Sequence, residues 1–116
     1  MRKVYVTLLS VLCFVLAGVS ANAQVTVSGA VVGNGSYSTL SAAFTAINSG
    51  AQTGATITIT ITANTTEPAG GAILNAGACT SMSIQPSGGA ARTISGAATA
   101  GLPLIDLNGA DNVTVD

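Results

Sequence analysis

The sequence predicts a mainly β fold of the solenoid kind, opened by a single helix. Three observations predict it. Residues 55–62 read Ala-Thr-Ile-Thr-Ile-Thr-Ile-Thr, which puts Ile57, Ile59 and Ile61 on one side of a strand and Thr56, Thr58, Thr60 and Thr62 on the other. Downstream, aliphatic residues recur 21 positions apart, at Ile73, Ile94 and Val115 and again at Ile84 and Ile105. Upstream of that strand, Leu40, Ala43, Phe44 and Ile47 fall at i, i+3, i+4 and i+7, one face of a helix. Short strands at a period of about 20–25 residues suit stacked coils, in which each coil covers the apolar edge of the one before. A β-sandwich also fits, because Ile84, Ile94 and Ile105 lie at sandwich-like intervals.

The first element is a targeting segment. Arg2 and Lys3 precede an apolar run, Val4 to Val19, and Ala21-Asn22-Ala23 forms a small-x-small cleavage site before Gln24. This is the layout of a secretory signal peptide over residues 1–23, with cleavage after Ala23. The rival, a retained membrane anchor, needs about 20 apolar residues and a basic stop-transfer cluster, and the run has neither. The protein is therefore expected to be secreted or displayed at the cell surface, with no membrane association after cleavage. Cys13 lies in the apolar run behind Val11 and Leu12, without the small residues of a lipoprotein site.

Residues 24–116 then form one domain. Val25-Thr26-Val27 is a short strand candidate, and Gly33-Asn34-Gly35 a turn. The helix is expected over about 39–48, with the Ser38 hydroxyl as cap and Gly50 in the left-handed position beyond its end. The β-branched run 55–62 is the strongest strand. Residues 64–71, with Pro68, read as a loop. Further short strands are expected at 82–85, 92–95, 104–107 and 113–115, separated by glycine-rich turns.

Composition excludes several functions. Beyond residue 23 the chain holds one base, Arg92, and four acids, Glu67, Asp106, Asp111 and Asp116, a net charge of 1 − 4 = −3. One arginine cannot neutralise a phosphate backbone or dock on anionic lipid, so nucleic acid and membrane surfaces are excluded as partners. Low charge accompanies disorder only where hydrophobicity is also low, and 48% of this chain is hydrophobic. Cys79 is left without a partner thiol, and with no histidine in the chain nothing obvious activates it.

The runs from residue 37 onward resemble those of a known family. Tyr37-Ser38-Thr39-Leu40-Ser41-Ala42-Ala43-Phe44-Thr45-Ala46-Ile47 is similar to the amphipathic helix that opens many pectin-lyase-like proteins. Ser83-Ile84-Gln85-Pro86 and Arg92-Thr93-Ile94-Ser95-Gly96 resemble their early coils, and Leu104 to Asp116 resembles their strand-turn-strand phrase. The resemblance implies a right-handed parallel β-helix with an N-terminal capping helix. It also implies that 24–116 is the cap and first coils of a larger secreted or surface-displayed bacterial protein, with downstream coils of the same protein as neighbours. It carries no catalytic position across.

Asp106, Asp111 and Asp116 lie five residues apart, which raises acid/base or calcium chemistry, yet calcium takes six to eight oxygens and no fixed ligand spacing is visible. Asp and Asn in turns are the plainer reading. Arg92 reads as a solvated charge and Glu67 as a loop residue. Asn34, Asn64 and Asn112 start N-x-Ser/Thr triplets of the kind that arise by chance in an Asn- and Thr-rich chain. The threonine face of 56–62 could meet sugar hydroxyls, although aromatic platforms are scarce. No catalytic, cofactor-binding or metal-binding residue is assigned, and no cofactor is expected. The expected function is an exported structural or adhesive module that acts on nothing itself, with extracellular polysaccharide as a candidate partner. The alternative is the non-catalytic leading part of a secreted polysaccharide lyase or glycoside hydrolase.

Overall fold

Alternation of isoleucine and threonine produces the central strand. A computed structural model describes residues 22–75 and 77–116. The expected signal peptide, apart from Asn22 and Ala23, and Cys13 with it, lies outside the described residues. β1 (Val25–Ser28), β2 (Gly35–Tyr37), β3 (Thr56–Ile61), β6 (Ser81–Pro86) and β9 (Val113–Val115) form a five-stranded sheet in the order β2-β1-β3-β6-β9. β4 (Thr65–Glu67) pairs with β7 (Ile94–Gly96), and β5 (Ala72–Ile73) with β8 (Ile105–Asp106). One helix, α1 (Leu40–Asn48), links β2 to β3, and a 3-10 turn at Ser87–Gly89 follows β6.

Ile57, Ile59 and Ile61 are buried, whereas Thr56 is exposed and Thr58 and Thr60 are half-buried, as the alternation requires. β1 presents Val25 and Val27 to the same core, and β6 presents Met82 and Ile84. α1 buries Leu40, Ala43, Phe44 and Ile47, the four residues of its apolar stripe, in that cluster. Burying an aliphatic or aromatic side chain of this size contributes roughly 1.5–3 kcal/mol, so these positions dominate the stability of the domain.

The expected right-handed parallel β-helix is corrected to a small mixed β fold, with nine short strands and one helix among the described residues. The largest sheet is mixed: β1 pairs antiparallel with both β2 and β3, while β3, β6 and β9 run parallel. The other two sheets have two strands each, and the sheets do not curl into coils of one length. Thr56 lies opposite Ser81, Thr65 opposite Ile94, Ala72 opposite Ile105 and Met82 opposite Val113, offsets of 25, 29, 33 and 31 residues. None equals 21. The isoleucines that recur in sequence are consequently not stacked. Ile84 sits between Ile59 and Val115, whereas Ile105 belongs to another sheet, beside Ala72. Turns of unequal length between strands shift the register, and a spacing read along the chain cannot report that shift.

The ends of α1 also differ from expectation. Thr39, not Ser38, is the cap, and its Oγ1 accepts from the Ala42 amide at 3.1 Å. At the other end Ser49 stays in the right-handed region, and both its amide and its hydroxyl donate to the Ala46 carbonyl. Gly50 is required for proximity, because a Cβ there would lie 2.9 Å from a Val32 methyl. Gly71 combines both demands: its φ is +67°, and a Cβ would lie 2.6 Å from the Leu104 carbonyl oxygen. The stretch 64–71 is not a plain loop, since Thr65–Glu67 is β4.

Candidate functional site

Three polar side chains lie inside the described part of the molecule, Gln52, Thr65 and Glu67, and they are the natural starting point for chemistry. Glu67 is the most telling. β4 points it inward, 3% exposed, beneath the start of α1. Its Oε1 accepts from the Leu40 amide at 3.0 Å and its Oε2 from the Ser41 amide at 2.7 Å. The first amides of a helix lack intrahelical acceptors and carry the positive end of the helix dipole. A carboxylate there satisfies two of them at once, while Thr39 serves a third. Glu67 is a buried helix clamp rather than the loop residue the sequence suggests. The contact spans 27 residues, and no local pattern announces it.

Gln52 performs the corresponding task beyond the other end of α1. Its Nε2 donates to the carbonyls of Ile47 and Val32 at 2.9 and 2.8 Å, and its Oε1 accepts from the Val31 amide at 2.9 Å. Asn48 brackets the chain after β5, donating to the Ile73 carbonyl and accepting from the Asn75 amide. Asn75 in turn accepts from Asn108 at 3.0 Å, so one asparagine line ties α1 to the turns after β5 and β8. The buried hydroxyl of Thr65 has no hydrogen-bond partner among the described residues.

The aspartates do not converge on one site. Asp106 Oδ1 accepts from the Asn108 amide two residues on, at 2.9 Å, the local turn bond such residues favour. Asp111 lines a cavity of about 60 Å3 with Ile47, Leu74, Cys79, Met82 and Val113. That is room for a few waters. Asp116 lines a wider, open hollow of about 360 Å3, with Ile84, Ile94, Val115 and Arg92 around it. Among the described residues no three His, Cys, Asp or Glu side chains come together as a metal site would require. Cys79 is buried and unpaired, with its sulfur 4.0 Å from the Asp111 carbonyl oxygen. Arg92 is exposed, and its Nη2 reaches the Ser87 hydroxyl at 3.4 Å.

The three triplet asparagines hold backbone. Asn34 accepts from the Ala30 amide and donates to the Ala30 carbonyl, Asn64 accepts from the Thr93 amide, and Asn112 donates to the Cys79 carbonyl. Asn112 also has φ +59°, a conformation that asparagine tolerates better than most residues. Across the described residues no helix is long and apolar enough to cross a membrane. Comparison of the chain with family models, with curated proteins and with solved structures found no match.

Proposed function

We propose that this chain is an exported structural or adhesive module without catalytic activity. The observation that supports it most is the use made of Glu67. The one buried carboxylate among the described residues is held by two helix amides in a closed clamp, where it faces no space a substrate could enter. Other polar side chains are also engaged within the fold. Asp106 closes its own turn, and Asn34, Asn48, Asn64 and Asn112 bind backbone. Export is supported by the basic start, the short apolar run and the Ala21-Asn22-Ala23 site.

Two measurements test the proposal. The chain is expressed from Met1 in a bacterium, and intact-mass analysis of the extracytoplasmic fraction should give Gln24 as first residue. Recovery of the uncleaved chain from the membrane fraction would refute export. The purified protein should also leave uronic-acid polymers and common glycosides intact. Turnover abolished by Asp106→Asn or Asp111→Asn would refute the absence of catalysis.

A further inference from the structure

The chain contains two Asn-Gly pairs, Asn34-Gly35 and Asn108-Gly109, and every other asparagine precedes a residue with a side chain. An Asn-Gly pair is the arrangement in which a chain most readily attacks its own side chain. The amide nitrogen of the second residue can reach the asparagine Cγ and close a five-membered ring, and glycine puts no Cβ in the way. The fold treats the two pairs differently.

Asn34 is held at both ends of its side-chain amide. Its Oδ1 accepts from the Ala30 amide at 2.9 Å, and its Nδ2 donates to the Ala30 carbonyl at 2.6 Å. Gly35 is fixed in β2, opposite Val27. Two hydrogen bonds and a strand pairing must open before the Asn34 Cγ can meet the Gly35 nitrogen. Asn108 and Gly109 instead form the centre of a turn, closed by the bond from the Ala110 amide to the Leu107 carbonyl, with Gly109 at φ +77°. One bond holds the Asn108 side chain, from Nδ2 to Asn75 Oδ1 at 3.0 Å. Among the described residues neither Asn108 Oδ1 nor the Gly109 amide has a partner. Both asparagines are exposed, so water reaches each of them and bonding makes the difference.

We propose that Asn108 is a site of spontaneous hydrolytic modification, and that the fold protects Asn34. The Gly109 nitrogen gives its proton to hydroxide and attacks the Asn108 Cγ. A C–N bond forms, the Cγ–Nδ2 bond breaks, and Nδ2 leaves as ammonia. Water then opens the resulting succinimide at either ring carbonyl, giving aspartate or isoaspartate at position 108. The sum is one water consumed and one ammonia released, with no oxidant or reductant. The product gains a negative charge beside Asp106, whose Oδ1 accepts from the Asn108 amide. It also loses the Nδ2 donor that ties the turn after β8 to Asn75. The asparagine line from α1 is thereby cut at its outer end.

The test ages the purified chain at mildly alkaline pH, both folded and in denaturant, and then cuts it with trypsin after Arg92. Asn108 lies in the fragment 93–116, and Asn34 in the fragment that ends at Arg92. Tandem mass spectrometry locates each gain of mass, and labelling by an isoaspartyl methyltransferase identifies isoaspartate. In the folded chain Asn108 should react at least about tenfold faster than Asn34, the equivalent of the additional hydrogen bond and strand pairing that Asn34 must open. In denaturant the two should react at comparable rates. Equal rates at Asn34 and Asn108 in the folded chain, or no reaction at Asn108, overturn the proposal. A difference that persists in denaturant also overturns it, because neighbouring sequence rather than the fold would then set the rates.

Discussion

Residues 25–86 and residues 87–116 belong to the same sheets but are held in them differently. Every fully buried hydrophobic side chain among the described residues lies in the first stretch, from Val25 to Ile84. In the second, Ile94, Ile105, Leu107, Ala110 and Val113 are only partly buried against that core. The first stretch alternates large aliphatics with threonine and serine and brackets its helix with Glu67 and Gln52. The second is rich in small residues, as in Gly88-Gly89-Ala90-Ala91 and Gly96-Ala97-Ala98-Thr99-Ala100-Gly101. Small side chains remove little apolar area from water, so their strands depend on backbone pairing with the first stretch. The difference teaches that one part of the chain makes the core and the other is templated on it.

The sharpest way to break this comparison is to charge the core strand. Ile59→Asp removes a fully buried side chain and leaves a carboxylate without a partner, at a cost of about 4 kcal/mol or more, enough to unfold a domain this small. Thr58→Asp, on the outward face, should fold. Circular dichroism and sedimentation of the two variants check this, and equal tolerance would refute the assigned facing.

The helix clamp ranks next. Glu67→Ala should cost about 2–4 kcal/mol, because two helix amides then lie buried without acceptors. Glu67→Gln should cost less, since one carbonyl oxygen remains to accept. Thermal melts of both variants order the losses, and equal stability of Glu67→Ala and the parent would remove the clamp from the account.

Truncations across the two stretches sharpen the comparison directly. Ile57→Ala should lose about 3 kcal/mol, whereas the half-buried Ile105→Ala should lose about 1 kcal/mol. Denaturant melts giving equal losses would show that the second stretch has a core of its own.

The smallest effect is expected at Thr65. Its hydroxyl is buried without a partner, so Thr65→Val should lie within about 1 kcal/mol of neutral, on the stabilising side. A clear destabilisation in the same melts would reveal a bonding partner for that hydroxyl.

Patterns with a local physical cause were legible in the sequence. The stripe Leu40, Ala43, Phe44 and Ile47 follows from helical periodicity, and the inward isoleucines of β3 follow from the two-residue alternation of a strand. A threonine face on residues 56–62 was legible for the same reason. Its extension across the sheet to Ser28, Ser83 and Thr114 was not, because register between distant strands makes it. The 21-residue recurrence misled on the same point: it aligned Ile84 with Ile105, which the structure places in different sheets.

The sequence by itself determined which segments are apolar on one side and the scarcity of charge. These depend only on neighbours along the chain. Tertiary structure alone decided that Thr39 rather than Ser38 caps α1, that Glu67 clamps its first turn from 27 residues away, and that the main sheet is mixed. The clamp and the sheet order are contacts between residues far apart in sequence, and the choice of cap follows from where the clamp starts the helix. Such contacts form when burial of the isoleucine core brings β4 beneath the helix and leaves two buried amides that only a carboxylate from another strand can satisfy.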